Sequence, residues 1–129
     1  MRLLLDTHAF LWAASDPAQL DPGAREAVQD AANEVFVSAA AAWEIAIKIA
    51  LKKLSIPGDP GVWFLARVGS LGFGHLDVTA SHALAVNSLP DIHNDPFDRI
   101  MIAQAQVEGL TLVTRDPRTK KYPVRVLPA

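Results

Sequence analysis

Five carboxylates stand where one fold could gather them. Asp6 closes the apolar run "RLLL", and Glu44 stands inside "AAAAWEIAIK". Asp95 and Asp98 open "DPFDRIMIAQA", and Asp116 follows "LTLVTR". Acids brought together repel, and burying them without compensation is costly. A hard divalent cation such as Mg2+ or Mn2+ relieves that cost, because it prefers carboxylate and water oxygens. Each acid also has an ordinary use. Asp6 can cap the helix after it, and Glu44 can pair with Lys48 at i, i+4. Asp95 precedes Pro96, which suits a first helical position. Asp98 can cap the same helix, and Asp116 can begin an Asp-Pro turn. One shared cause covers all five positions more simply than five separate ones.

The elements that would position them follow from patterning. Residues 2–5 form an apolar run of strand length, and "THAFLWAAS" reads as a helix. Asp21 and Pro22 give a strong helix start in "LDPGAREAVQDAA". Residues 34–37, "EVFV", read as a second strand. Ser38 then caps a long helix over residues 39–54, with Trp43, Ile47, Ala50, Leu51 and Leu54 on one face. Its neighbours make that helix apolar nearly all round, so Glu44 needs a partner inside. "IPGDPG" breaks the pattern. Helices follow at residues 62–72 and 79–89, with a short strand at "HLDV" between them. Residues 95–109 form a helix stopped by Gly109. "LTLVT" is the clearest strand, and "VRVL" is the last. Alternating strands and helices predict an α/β fold, a parallel sheet covered on both faces. Ligands of such sheets sit beyond the carboxyl ends of the strands, which is where four chain segments place these acids.

Bulk properties narrow the class. A chain of 129 residues, half of them hydrophobic, is expected to form a single domain over residues 1–129. Cysteine is absent, which removes disulfides, thiolate zinc sites and a thiol nucleophile. The short apolar start is interrupted by Asp6 and His8, unlike a secretory signal, and no apolar span reaches membrane length. A soluble cytoplasmic protein is the expectation. The net charge of −2 argues against a general nucleic-acid coat. Five of the twelve basic residues nevertheless fall between Arg115 and Arg125. No two histidines have metal-ligand spacing, so the pattern is not that of a zinc hydrolase. His8 and His93 lie near the acids, while His75 and His82 read as structural or exposed. Trp12, Trp43 and Trp63 read as core.

The segments "LLLDTHAFLW", "SAAAAWEIAIK", "DPFDRIMIAQA" and "LTLVTRD" together resemble the PIN-domain family, and within it the VapC-like ribonuclease toxins of type II toxin–antitoxin systems. They span nearly the whole chain in the family's order. The resemblance implies a three-layer α/β/α fold with a central parallel sheet. It implies a metal-dependent endoribonuclease, a cognate antitoxin that masks the site, and a homodimer. It maps the family's four acids onto Asp6, Glu44, Asp98 and Asp116. Asp95 lies outside that pattern and remains a further ligand candidate.

On that reading Asp6, Glu44 and Asp98 hold Mg2+ or Mn2+, and Asp116 takes a second ion or a water beside the first. Thr7, Ser38 and Thr114 are hydroxyls placed to support the acids. His8, Arg99 and Arg115 are candidates to contact RNA phosphates, which position a strand without reading its sequence. Trp63 is also a candidate for an antitoxin or dimer face. Rival readings include a non-toxin PIN nuclease acting in RNA processing or on DNA. An acid-pocket phosphotransfer domain is another. A HAD-type phosphatase expects a second acid at position 8, which is histidine here, and a receiver domain lacks its phospho-accepting Asp.

Overall fold

The computed structural model describes residues 1–129. Five strands form one parallel sheet: β1 (Arg2–Leu5), β2 (Glu34–Ser38), β3 (Gly74–Leu76), β4 (Thr111–Thr114) and β5 (Val126–Pro128). Their order across the sheet is β3-β2-β1-β4-β5. Between them run α1 (Thr7–Ser15), α2 (Pro22–Gln29), α3 (Ala39–Ala50), α4 (Pro60–Leu71), α5 (Ala80–Ala85) and α6 (Pro96–Glu108). The chain steps from β1 out to β3 and then returns across β1 to β4. Right-handed crossovers in two opposite directions place helices on both faces, giving three layers. The reversal falls between β1 and β4. Leu5 pairs with Val37 on one side and Val113 on the other.

Coverage on both faces explains the strand sequences. Leu3, Leu4 and Leu5 are all fully buried, as a central parallel strand requires. The core comprises 28 buried apolar residues in one cluster, with Phe10 at its aromatic centre, 5.2 Å from Phe64. Gly74 has a local reason: a Cβ there would lie 2.9 Å from the Phe36 ring on the neighbouring strand.

Most helix starts and stops follow the expected chemistry. Asp21 caps α2 with Pro22 after it, Ser38 caps α3, and Gly109 ends α6 at φ 67°. The α3 expectation needs correction. The helix stops at Ala50, not residue 54. Lys52 turns into the left-handed region at φ 59°, the Lys53 amide returns to the Lys48 carbonyl, and the Lys52 amide returns to the Ile49 carbonyl. That is a Schellman closure built without glycine. Nor is the expected face the buried one. Ala40, Ala41, Glu44 and Ile45 face inward, while Trp43 is 65% exposed and Leu51 59% exposed. Small alanines let α3 approach its neighbours closely, which turns the large apolar side chains outward. Trp43 is therefore not a core residue; it meets the partly buried Phe97 edge-on at 5.1 Å. Trp12 and Trp63 are half-buried against the core. The helix expected at 79–89 is α only to Ala85 and then tightens into a 3₁₀ turn, Val86–Ser88. The last strand begins two residues later than expected, because Val126 is the residue in register with Leu112.

Candidate active site at the carboxyl edge of the sheet

Asp6 leaves the end of β1 with its own amide bonded to the Val113 carbonyl at 3.1 Å. Its Oδ1 accepts from the Ala9 amide at 2.8 Å, so it does cap α1. The residue is 8% exposed. Burial raises its pKa; the Thr114 hydroxyl, the Ala9 amide and His8 oppose the rise, while Glu44 adds to it. Capping and site membership are thus compatible.

Glu44 reaches the same place from α3 and is 7% exposed. Its Oε1 accepts from the Thr7 hydroxyl at 2.7 Å, and its Oε2 lies 2.6 Å from Lys48 Nζ. The i, i+4 pair therefore exists, but inside the cleft.

The two aspartates of α6 divide their work. Asp95 is the N-cap, its Oδ1 accepting from the amides of Phe97 at 2.8 Å and Asp98 at 3.4 Å. Asp98, in the first turn, has its pKa pushed up to about 7. Burial is the main cause, followed by the charge of Asp95; His93 opposes it, and the charges of Asp6 and Glu44 add to it. That environment shows the acids converging.

Asp116 sits beyond β4 in an opposite environment. Its Oδ1 accepts from the Arg118 amide and Nε, and its Oδ2 from Arg118 Nη2 at 2.9 Å. The Arg118 guanidinium holds its carboxyl well below the usual range. His93, 2% exposed, places Nε2 2.8 Å from Asp116 Oδ2 and 3.0 Å from Asp98 Oδ2.

These groups line a cleft of about 230 Å3. Its walls carry Asp6, Glu44, Asp95, Asp98 and Asp116 against three cations, Lys48, Arg115 and Arg118, with Thr7, His8 and Trp12 completing them. Larger hollows of about 780 and 510 Å3 lie elsewhere and hold no such concentration of acids. The cleft is small, but its charge and its place at the β1–β4 switch point make it the candidate centre.

The supporting residues fall as follows. Thr7 lines the cleft. Thr114 is buried behind it, its hydroxyl lowering the Asp6 pKa and accepting from the Asp116 amide at 3.1 Å. Ser38 is fully buried as the α3 cap, accepting from the Ala40 amide at 3.0 Å. His8 and Arg115 reach the rim, and the Arg115 guanidinium lies 4.2 Å from the Trp12 ring centre while bonding the carbonyls of Ala129 and Gln19. Arg99 is not brought to the cleft. Its guanidinium donates to the carbonyls of Pro90, His93 and Val86 and to the Tyr122 hydroxyl. Lys48 and Arg118 also line the cleft, though neither is among the residues expected there from the sequence. Their spacings, four residues from Glu44 and two from Asp116, were the available signals.

A model of the PIN-domain family matches residues 3–124. The chain belongs to the PIN-domain family. It is 32% identical to Ribonuclease VapC22 of Mycobacterium tuberculosis over 124 residues, covering 93% of this chain and 91% of that relative. Its fold is similar to a crystal structure of VapBC2 from Rickettsia felis bound to a DNA fragment from their promoter. That match has a TM-score of 0.74 at 14% identity and covers 100% of this chain and 99% of the other. A DNA-bound VapBC from Salmonella typhimurium matches with a TM-score of 0.70 at 17% identity, covering 99% and 98%. At those identities the shared feature is the fold. The strand order and layers are thus those of a PIN domain, and in this PIN domain the acid cleft opens at the carboxyl edge of the sheet.

Proposed function

We propose that this PIN domain is a divalent-metal-dependent endoribonuclease, the toxin half of a toxin–antitoxin pair. The observation that carries the reading is Asp98. It shares one cleft with Asp6, Glu44, Asp95 and Asp116, and its pKa is pushed up to about 7, by burial first and then by the charges of Asp95, Asp6 and Glu44, with His93 opposing. An all-oxygen donor set with excess negative charge fits a hard cation such as Mg2+ or Mn2+. Asp6, Glu44 and Asp98 would hold it, with Asp116 beside them and Asp95 retained as the helix cap. When bound, the cation lowers the pKa of water toward neutrality and offsets charge on phosphate oxygens.

The chain's own side chains prepare that centre. Thr7 orients one Glu44 oxygen, and the Ala9 amide orients Asp6. Lys48 offsets the charge of Glu44. Arg115, Arg118 and His8 stand at the rim, where RNA phosphates would pass. The antitoxin and the homodimer rest on the family resemblance and on the similarity to VapC22 and to VapBC assemblies. The exposed Trp43, beside Phe97 over an apolar groove, supports a protein partner. We take residues 1–129 as one working unit, since one sheet and one core serve the cleft. No helix is long and apolar enough to cross a membrane, and a cytoplasmic site of action follows from the proposed substrate.

The test is cleavage of RNA with Mg2+ or Mn2+, with EDTA as control and single- and double-stranded DNA in parallel. Asp6→Asn, Glu44→Gln and Asp98→Asn should each slow cutting by at least about a hundredfold, the equivalent of about 3 kcal/mol, with circular dichroism unchanged. A folded Asp6→Asn that cuts like wild type would overturn the reading. Cutting of DNA alone would reassign the substrate.

A further inference from the structure

We propose that His93 is a positioning residue: a fixed Nε2–H donor that clips Asp98 to Asp116 and so sets the spacing of two carboxylates at the cation site. This rests on the metal-dependent reading above. The backbone amide of Asp95 reaches His93 Nδ1 at 3.0 Å. An amide can only donate, so Nδ1 must present its lone pair, and the proton of the neutral ring lies on Nε2. That nitrogen is 2.8 Å from Asp116 Oδ2 and 3.0 Å from Asp98 Oδ2, within donor reach of both.

The same geometry separates this role from ligation. Ligand atoms of His93, Asp98 and Asp116 lie within 4.8 Å of one another, the outline of a metal triad. A metal needs a ring lone pair, and the one available at Nδ1 is already taken by the Asp95 amide. His93 therefore bonds the acids rather than joining them. Such partners of metal-binding side chains typically tune affinity about 10–100-fold.

The ring is held from behind. The His93 amide donates to the Tyr122 hydroxyl at 2.7 Å. Arg99 Nη1 lies 3.4 Å from the His93 carbonyl, 3.3 Å from the Tyr122 hydroxyl and 2.9 Å from the Pro90 carbonyl. Arg99 and Tyr122 thus fix the loop before α6, and Asp95 fixes both the helix start and the ring tautomer. Arg99, Tyr122 and Asp95 together set the direction of one N–H.

The experiment combines tautomer and metal binding. In metal-free protein, long-range 1H–15N correlation spectra should show His93 protonated at Nε2 and bare at Nδ1. The opposite tautomer would overturn the clip, and this readout stands even if the protein binds no metal, an outcome that would sink the proposed function instead. In RNA-free protein, Mn2+ affinity by calorimetry should fall about 10–100-fold for His93→Leu. His93→Gln, which keeps an N–H donor near the Nε2 position, should stay within about threefold of wild type. A His93→Leu that folds and binds Mn2+ like wild type rejects the role. Electron spin-echo spectra of bound Mn2+ should lack a directly coordinated imidazole nitrogen; finding one makes His93 a ligand and rejects the role. Should His93→Leu fail to fold, the tautomer, the His93→Gln affinity and the spin-echo spectra decide.

Discussion

Asp98 and Asp95 are three residues apart on one helix end, yet their surroundings give them opposite duties. Asp98 has its pKa raised from 3.8 to about 7. Below about pH 4 the folded and unfolded chains both hold its proton. Between about 4 and 7 only the folded chain does, so this group's contribution to stability is lost as pH rises through that window. In metal-free protein the loss should be about 2 kcal/mol, allowing for partial exposure, and chemical denaturation from pH 4.5 to 7.5 would show it. Mn2+ competes for the same oxygens, so its affinity should climb over this range and level off above about pH 7.5. Asp95→Asn should preserve both fold and metal binding, because asparagine caps a helix about as well as aspartate. An Asp95→Asn that loses Mn2+ while Asp98→Asn keeps it would exchange their roles. The acids were legible in the sequence because each stands at a strand end or helix start, or inside an apolar helix. The bridge from His93 was not. It depends on Asp116, remote in sequence, and on a backbone amide whose direction only the folded loop sets.

At the scale of elements, the ends of helices carry the testable contrasts. Lys52 occupies the left-handed position that closes α3, and Gly109 occupies the matching position after α6. Lys52→Gly should stabilise the protein by about 0.5–1 kcal/mol, and Gly109→Ala should destabilise it by about 1 kcal/mol. Both changes would be read in the denaturation midpoint. No atom crowds a Cβ at Gly109, so its loss would report backbone conformation alone. Caps were readable because Ser38, Asp21 and Asp95 act through neighbours within three residues. The buried face of α3 was not. Hydrophobicity favoured the side bearing Trp43 and Leu51, while close packing selected the side bearing Ala40 and Ala41. A small side chain contributes by allowing approach, a property that a hydropathy pattern does not record.

For the whole molecule, a net charge of −2 leaves the cleft's three cations as the main electrostatic attraction for the proposed RNA substrate. The logarithm of affinity should therefore fall with the logarithm of salt at a slope of only about −2, at roughly 0.7 per phosphate for a single strand. A slope near zero or steeper than about −5 would show that contacts lie elsewhere. Divalent cation should also raise thermal stability, by about 2.7 kcal/mol at a hundred times its dissociation constant, with Asp98→Asn blunting the gain. Alternating elements made the layered sheet foreseeable, but the pairing of β1 with β4 had to come from the fold. That pairing governs when the centre can exist during synthesis. Asp6 is made well before Asp116. They meet only after β4 docks on β1, through bonds such as Asp6 to Val113. A nascent chain carries no assembled cleft while β4 remains inside the ribosome. Translation that stops short of β4 leaves these acids apart, and for the proposed nuclease the interval between the emergence of β4 and its docking is the moment when another protein could intercept it.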